Sequence, residues 1–322
     1  MIGHGTHGHR HDHRPGPGGE TAPPARALGL ALGVTLGLML VEAMGGWLSG
    51  SLALLADAGH LLVDVGALGL GVVGSWVASR PATSQMSYGY RRAEILAAVT
   101  NGVALWAIAG AIIYEAVRRL GAPHPVLAPA MLAVAVVGLA GNLASTVLLA
   151  RSEGENLNVR AALVHVVGDA AAAAGTIAAS LVILTTGWTA ADAWVSFGIA
   201  GLLLVGSWSP VRDAVEILME GTPRGISIPA VEAVMRAVPG VLEIHDLHVW
   251  ALTAGVPAVS AHVRIADPAE GHHILMALCT ALHERFGLSH TTIQLETETV
   301  DAPWHTDCAP EVRPRATDGA AR

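Results

Sequence analysis

The chain has no lysine, few aromatic residues, few charges and only two cysteines. Of its 322 residues, 14% are charged and 52% are hydrophobic, whereas soluble domains carry roughly 25% charged residues. This composition argues against an ordinary soluble enzyme and against intrinsic disorder for most of the chain. Cys279 and Cys308 are too few for a disulfide framework or a cysteine-based zinc module. The eighteen basic residues, all arginine, form no dense patch, so we expect no nucleic-acid partner.

Six apolar stretches follow a polar start, and each is long enough to cross a bilayer, which takes about 20 helical residues. They lie near residues 27–48, 52–78, 94–119, 129–150, 160–185 and 190–210. Ten arginines fall in the segments on one side of the membrane, and two, Arg118 and Arg119, fall on the other. Because arginine is enriched in cytoplasmic loops, we expect both termini to be cytoplasmic.

After residue 222 the pattern becomes that of a small α+β domain. Its predicted elements are a helix at 229–238, strands at 241–250 and 256–265, a helix at 268–286 and a strand at 290–297. This αββαβ order predicts helices on one face of a sheet, as in a ferredoxin-like fold. The predicted fold class is thus an α-helical membrane protein with six transmembrane helices and a C-terminal cytosolic α+β domain.

The predicted organisation has four parts. Residues 1–26 are a disordered tail whose histidines, at positions 4, 7, 9, 11 and 13, give it loose metal affinity. Residues 27–212 form the membrane domain, 213–299 form a cytosolic domain for metal sensing and dimerisation, and 300–322 form a second disordered tail.

Titratable residues inside two of the predicted spans are the strongest functional signal, because such groups are expensive in lipid and usually mark a pathway or a site. His60 and Asp64 lie in the second span, and His165 and Asp169 in the fifth. The spacing of four residues places each pair on one helix face. If these faces meet, two imidazoles and two carboxylates form a four-coordinate site that suits zinc.

Other interpretations of these polar residues stay open. Each histidine and aspartate could instead form a hydrogen-bonded pair within its own helix and stabilise the bundle, and Glu42 in the first span is the main competing charge partner. Asp57 lies three residues before His60 on the same helix face. It either orients His60 from behind the metal or faces an external cavity, and we favour the first role.

Five segments of the chain resemble the cation diffusion facilitator family. They are 51–64 (SLALLADAGHLLVD), 88–98 (YGYRRAEILAA), 156–169 (NLNVRAALVHVVGD), 218–223 (LMEGTP) and 245–250 (HDLHVW). The resemblance implies a proton-coupled zinc exporter of the inner membrane that works as a homodimer and has no organic cofactor. It also implies that His60, Asp64, His165 and Asp169 form the transport site, in the version typical of zinc-preferring bacterial members.

The predicted cytosolic domain carries a second candidate metal site. A hairpin turning at 253–254 would pair His245 with His262, and opposed residues have β-carbons about 5 Å apart. The resemblance adds one histidine of the following helix, His272 or His273, and the last-strand residues Gln294 and Glu296. Our ligand set is His245, His262, His273 and Glu296, with zinc as a regulatory ligand. His248 and His290 are alternative ligands. A further candidate site in the tail consists of Cys308 with His305 and Asp307. The simpler interpretation is that these histidines lie on the surface or form ordinary hydrogen bonds and bind no metal.

Two rival functions, and other metals, remain to be separated from zinc export. An intramembrane metalloenzyme would need an open coordination position and a nearby base, and the chain has no HExxH helix. A metal-sensing receptor would show no flux. The chain also lacks a phosphate-binding loop, so we expect no ATP. Cobalt, nickel, cadmium and manganese remain alternative substrates.

Overall fold

Six long helices precede a small mixed domain in the computed structural model, which describes the backbone of residues 25–152 and 157–297 and the side chains of 33–144 and 168–297. The helices are α1 (Ala25–Ser49), α2 (Leu52–Ala78), α3 (Ala93–Gly121), α4 (Ala128–Ser152), α5 (Leu157–Thr186) and α6 (Ala190–Leu218). In α2, α3, α5 and α6 the described part is apolar and long enough to cross a membrane. The described apolar parts of α1 and α4 are shorter, Gly33–Ser49 and Ala128–Ala144.

Helix α6 continues past residue 210, the predicted end of the sixth apolar stretch, to Leu218. Its last turns are polar rather than apolar, and the i,i+4 pair of Arg212 and Glu216, 2.7 Å apart, supports them. The hydropathy pattern marks the end of the apolar part, whereas the helix itself ends at Leu218.

Small residues allow the helices of the bundle to pack closely. Ala53, Ala56 and Ala109 are buried in its core beside larger side chains such as Met131, and such small residues let helix backbones approach one another in membranes. The tightest approach joins α3 to α6, because a β-carbon on Gly102 would lie 2.0 Å from a methyl carbon of Val211.

The C-terminal domain has the predicted order of elements. It contains α7 (Ile228–Arg236), β1 (Val241–Thr253), β2 (Val256–Ile265), a 3₁₀ turn (Pro268–Glu270), α8 (Gly271–Phe286) and β3 (His290–Glu296). The sheet order is β1-β2-β3, with β1 and β2 antiparallel and β2 and β3 parallel. The parallel pair is possible because α8 carries the chain across the sheet between β2 and β3.

The two faces of this sheet differ because the side chains of a strand alternate. In β2, Val259, Ala261, Val263 and Ile265 are buried and belong to the core formed with α7 and α8. His262 lies between two of these residues and therefore on the opposite, helix-free face. The fold thus confirms the α+β class and separates the apolar core from a polar sheet face.

The loop between α2 and α3 meets the C-terminal domain. The rings of Tyr88 and His290 lie edge to face, 5.4 Å between centroids, and Arg92 forms an ion pair of 3.0 Å with Glu220 after α6. A cavity of about 1360 Å³ lies between this loop and β1. We call this end of the bundle the domain-side end, and the opposite end, where α1 turns into α2, the far end.

Helix α2 is packed very differently in its two halves. From Leu52 to Ala58, all residues but one are buried. From Leu68 to Val73, six successive residues are exposed. A β-carbon added at Gly66, Gly69 or Gly71 would meet nothing within 4 Å among the residues that the structure describes. The first two turns of α2 are therefore buried in the bundle, whereas the stretch from Leu68 to Val73 is exposed.

Candidate metal-transport site

His60 lies where helices α2 and α5 approach each other, near the middle of both. Its Nε2 atom is 3.5 Å from Oδ2 of Asp64 on the same helix and 3.4 Å from Oδ1 of Asp169 on α5. The three side chains are only 16%, 27% and 12% exposed. Carboxylates from two helices thus converge on one imidazole in the interior of the membrane bundle.

The i,i+4 spacing explains this arrangement, because it places His60 and Asp64 one turn apart on the face of α2 that meets Asp169. His165 lies on α5 one turn before Asp169, and its side chain is outside the described residues. The structure therefore brings together three of the four predicted ligands. The coordination of an ion by all four stays a prediction.

Two further carboxylates lie inside the bundle near this group. Asp57 is 4% exposed and Glu42 is 1% exposed. A β-carbon on Gly138 of α4 would lie 2.3 Å from Oε1 of Glu42, so the missing side chain at Gly138 makes room for this carboxylate. The role of Asp57 in orienting His60 stays a prediction. Glu42, the competing charge partner named in the sequence analysis, is fully buried in the bundle.

The far end contains a residue that sequence reasoning missed. Asp192, in the first turn of α6, is 1% exposed, and its carboxylate accepts hydrogen bonds from the first turn of α2. The only signal for this residue in the sequence was its position, as a single aspartate at the start of the sixth apolar stretch.

A second cluster lies on the helix-free face of the C-terminal sheet. Ligand atoms of His245, His262 and Glu296 all lie within 4.8 Å of one another. His245 pairs with His262 across β1 and β2, as the hairpin symmetry predicts, and their rings are 5.2 Å apart. Glu296 reaches both, with Oε2 2.9 Å from Nε2 of His245 and Oε1 2.8 Å from Nδ1 of His262. Two imidazoles and a carboxylate are a donor set that suits zinc.

The surroundings of Glu296 favour its ionised form. Burial acts to raise the pKa of this carboxyl, but the hydrogen bonds from His245 and Gln294 and the nearby charges of His245 and His262 outweigh it, so its pKa is lowered. Gln294 donates to Oε1 of Glu296 at 3.0 Å. Gln294 thus acts as a hydrogen-bond donor to the Glu296 carboxylate, which agrees with the weak affinity of an amide for zinc.

The structure does not bring His273 to this cluster. His273 is exposed on α8, and α8 packs through Ile274 and Leu278 on the opposite face of the sheet. His248 is 2.8 Å from Asp246, and His290 contacts Tyr88. The candidate tail ligands His305, Asp307 and Cys308 and the N-terminal histidines lie outside the described residues.

The fold and the candidate site together define a class: a multi-pass membrane protein with a histidine–carboxylate group between its helices and a separate C-terminal domain with a second such group. Residues 28–219 match the model of the cation efflux transmembrane domain, and residues 223–298 match that of the cation efflux protein cytoplasmic domain. The chain belongs to the cation efflux family, the cation diffusion facilitators, and is a transporter rather than an enzyme. Its C-terminal domain is cytoplasmic.

Curated relatives align along almost the whole chain. The zinc transporter ZitB of Escherichia coli is 40% identical over 305 residues, covering 94% of this chain and 95% of the relative. A cadmium, cobalt and zinc/H(+)-K(+) antiporter of Bacillus subtilis is 39% identical over 81% of this chain and 86% of its own. A solved structure, the metal-bound C-terminal domain of the CzcD transporter from Cupriavidus metallidurans, is 38% identical and covers 22% of this chain and 99% of its own, with a TM-score of 0.21.

Proposed function

We propose that the protein exports Zn²⁺ from the cytoplasm in exchange for protons by alternating access. The observation that carries this proposal is the convergence of Asp64 and Asp169, from two helices, on Nε2 of His60 at 3.5 and 3.4 Å inside the bundle. With His165, these residues are the transport site. The names of the relatives add that zinc is carried by one of them and zinc, cadmium and cobalt by another.

The same side chains couple metal to protons. Imidazole and carboxylate ligands must lose their protons to bind a metal, and histidine titrates close to neutral pH. A proton that reaches this group therefore competes directly with the ion. Proton entry from the acidic side would release the metal there, and metal loading from the other side would release protons, without any need for ATP.

In this proposal the ion is loaded from the cytoplasm. The first two turns of α2, at the end away from the cytoplasmic C-terminal domain, are buried. Toward that domain, the stretch from Leu68 to Val73 is exposed. This contrast supports a state that accepts an ion from inside the cell.

The C-terminal domain then has a regulatory role in this proposal. His245, His262 and Glu296 bind cytoplasmic zinc, with a water or a further side chain completing the four-coordinate geometry that zinc prefers. In the proposed homodimer of the inner membrane, the two protomers contact each other through their cytoplasmic C-terminal domains. Zinc bound at this site would report a high cytoplasmic concentration to the transporter.

The direct test is zinc uptake into proteoliposomes under an imposed pH gradient, acidic inside. Wild-type protein should accumulate zinc, and His60→Ala and Asp169→Asn should reduce the rate at least about a hundredfold, because each removes a ligand of a single site. His124→Ala is the matched control, since His124 is exposed in the loop after α3 and should leave the flux unchanged. Full transport by both site variants would refute the assignment.

The choice of metal is tested in the same vesicles. Two imidazoles favour zinc over harder ions such as Mn²⁺ but accept Co²⁺ and Cd²⁺. We expect unlabelled zinc to compete with ⁶⁵Zn flux most strongly, cadmium and cobalt next, and manganese least. Stronger competition by manganese would contradict a transport site built from these two histidines.

A further inference from the structure

Asp192 connects two helices that are far apart in the sequence. Its carboxylate accepts hydrogen bonds from the Ser51 hydroxyl at 2.7 Å and from the backbone N–H groups of Leu52 at 2.7 Å and Ala53 at 3.1 Å. The first N–H groups of a helix have no partner within the helix. Asp192 of α6 therefore caps α2, the helix that carries His60 and Asp64.

Arg119 of α3 completes this arrangement. It lies 3.4 Å from Oδ2 of Asp192 and donates to the carbonyl of Gly50 at 2.5 Å. Arg119 is 13% exposed and Asp192 is 1% exposed. A buried carboxylate is stable only when paired and hydrogen-bonded, and this one has both a cation and three donors. We call Asp192, Arg119 and the three α2 donors the far-end network.

The far-end network lies at the buried end of α2. Ser51 precedes His60 by nine residues, which is about 13.5 Å of helix at 1.5 Å per residue. In the proposed cycle an ion that leaves His60 away from the cytoplasm passes along this stretch, where most residues of α2 are buried against neighbouring helices. The network adds three hydrogen bonds and an ion pair to a largely apolar core.

We propose that Asp192 is a positioning residue of the transport cycle, which keeps the far end closed by holding the first turn of α2 and must release that turn before the ion can leave. The inference rests on the alternating-access function proposed above. Release of this turn would break all three hydrogen bonds to the carboxylate together, because one side chain accepts them all. The hydrogen bonds and the ion pair described for Asp192 include none to His60, Asp64 or Asp169, so in this proposal it acts through the position of α2.

The test is Asp192→Asn, which keeps the shape of the side chain and removes its charge. In proteoliposomes we expect kcat for zinc to change at least about tenfold, the equivalent of one charge-assisted hydrogen bond, with KM on the cytoplasmic side within about threefold because the site is untouched. Amides 52 and 53 should exchange hydrogen faster in the variant. In wild type they should exchange faster during zinc transport than without zinc.

Asp267→Asn is the matched control, because Asp267 also caps a turn, accepting from the Ala269 N–H at 2.8 Å on the exposed surface of the C-terminal domain. It should change neither kcat nor exchange in α2. If Asp192→Asn does not fold, Ser51→Ala and Arg119→Gln should show the same effects to a smaller degree.

Unchanged kcat per folded transporter in Asp192→Asn, or in both milder variants, would overturn the proposal. Equal exchange at amides 52 and 53 in resting and transporting wild type would overturn it as well. A loss of zinc binding in proportion to folded protein, with kcat unaltered, would show a merely structural role. Absence of zinc flux in wild type would instead refute the proposed function itself.

Discussion

Replacing Gly102 by alanine should destabilise the membrane bundle, although alanine normally favours a helix. The new β-carbon would lie 2.0 Å from Cγ2 and 3.4 Å from Cβ of Val211, whereas carbon atoms in contact are about 3.5–4.0 Å apart. Helices α3 and α6 must therefore separate by more than an ångström, or Val211 must leave its rotamer. Separation of the helices would also lengthen the 3.0 Å hydrogen bond that Trp106 of α3 donates to Ser207 of α6.

Overpacking of this kind costs about 1–3 kcal/mol, against a gain of at most about 1 kcal/mol from helix propensity. Gly110→Ala is the matched control on the same helix, because nothing lies within 4 Å of a β-carbon there, and it should be neutral or slightly stabilising. Thermal unfolding of purified protein in detergent, followed by tryptophan fluorescence, measures both. Equal melting temperatures for the two variants would refute the close approach of α3 to α6.

Two further predictions concern the C-terminal cluster. The pKa of the Glu296 carboxyl is lowered in the folded protein, so its stabilising contribution is present above the ordinary pKa of 4.5 and disappears as pH falls through the lowered pKa. In zinc-free protein, acid should therefore increase hydrogen exchange in β3 more in wild type than in Glu296→Gln. Equal acid sensitivity of the two proteins would contradict the lowered pKa. In calorimetric titration of the full-length protein with zinc, His262→Ala should remove one binding step. His273→Ala, on the exposed surface of α8, should leave that step unchanged. Loss of the step in His273→Ala would instead place His273 among the ligands.

Periodic patterns made much of this protein predictable. The two His-x-x-x-Asp pairs indicated which face of α2 and which face of α5 carry the titratable side chains, because the helical repeat is local and regular. The hairpin symmetry likewise indicated the pairing of His262 with His245, which the register of β1 and β2 confirms. Each of these inferences depends only on residues within one element or one hairpin.

Contacts between distant elements could not be inferred in the same way. Asp192 meets the start of α2 about 140 residues away, and no local pattern in either segment names the partner. The choice of His273 as a ligand likewise depended on the family resemblance, and its role stays a prediction. The burial of Ile274, Leu278 and Leu282 places α8 on the core face of the sheet, whereas the cluster of His245, His262 and Glu296 lies on the other face.

The proposed transport ligands on α2 lie where the packing of this helix changes. His60 and Asp64 stand between the buried stretch that begins at Leu52 and the exposed stretch from Leu68 to Val73. We expect a helix that is closely packed at one end and exposed at the other to move mainly at its exposed end, because interlocked side chains resist displacement. In the proposed cycle, residues between the two stretches are near enough to the capped end to keep their mutual geometry and near enough to the exposed end to receive cytoplasmic ions.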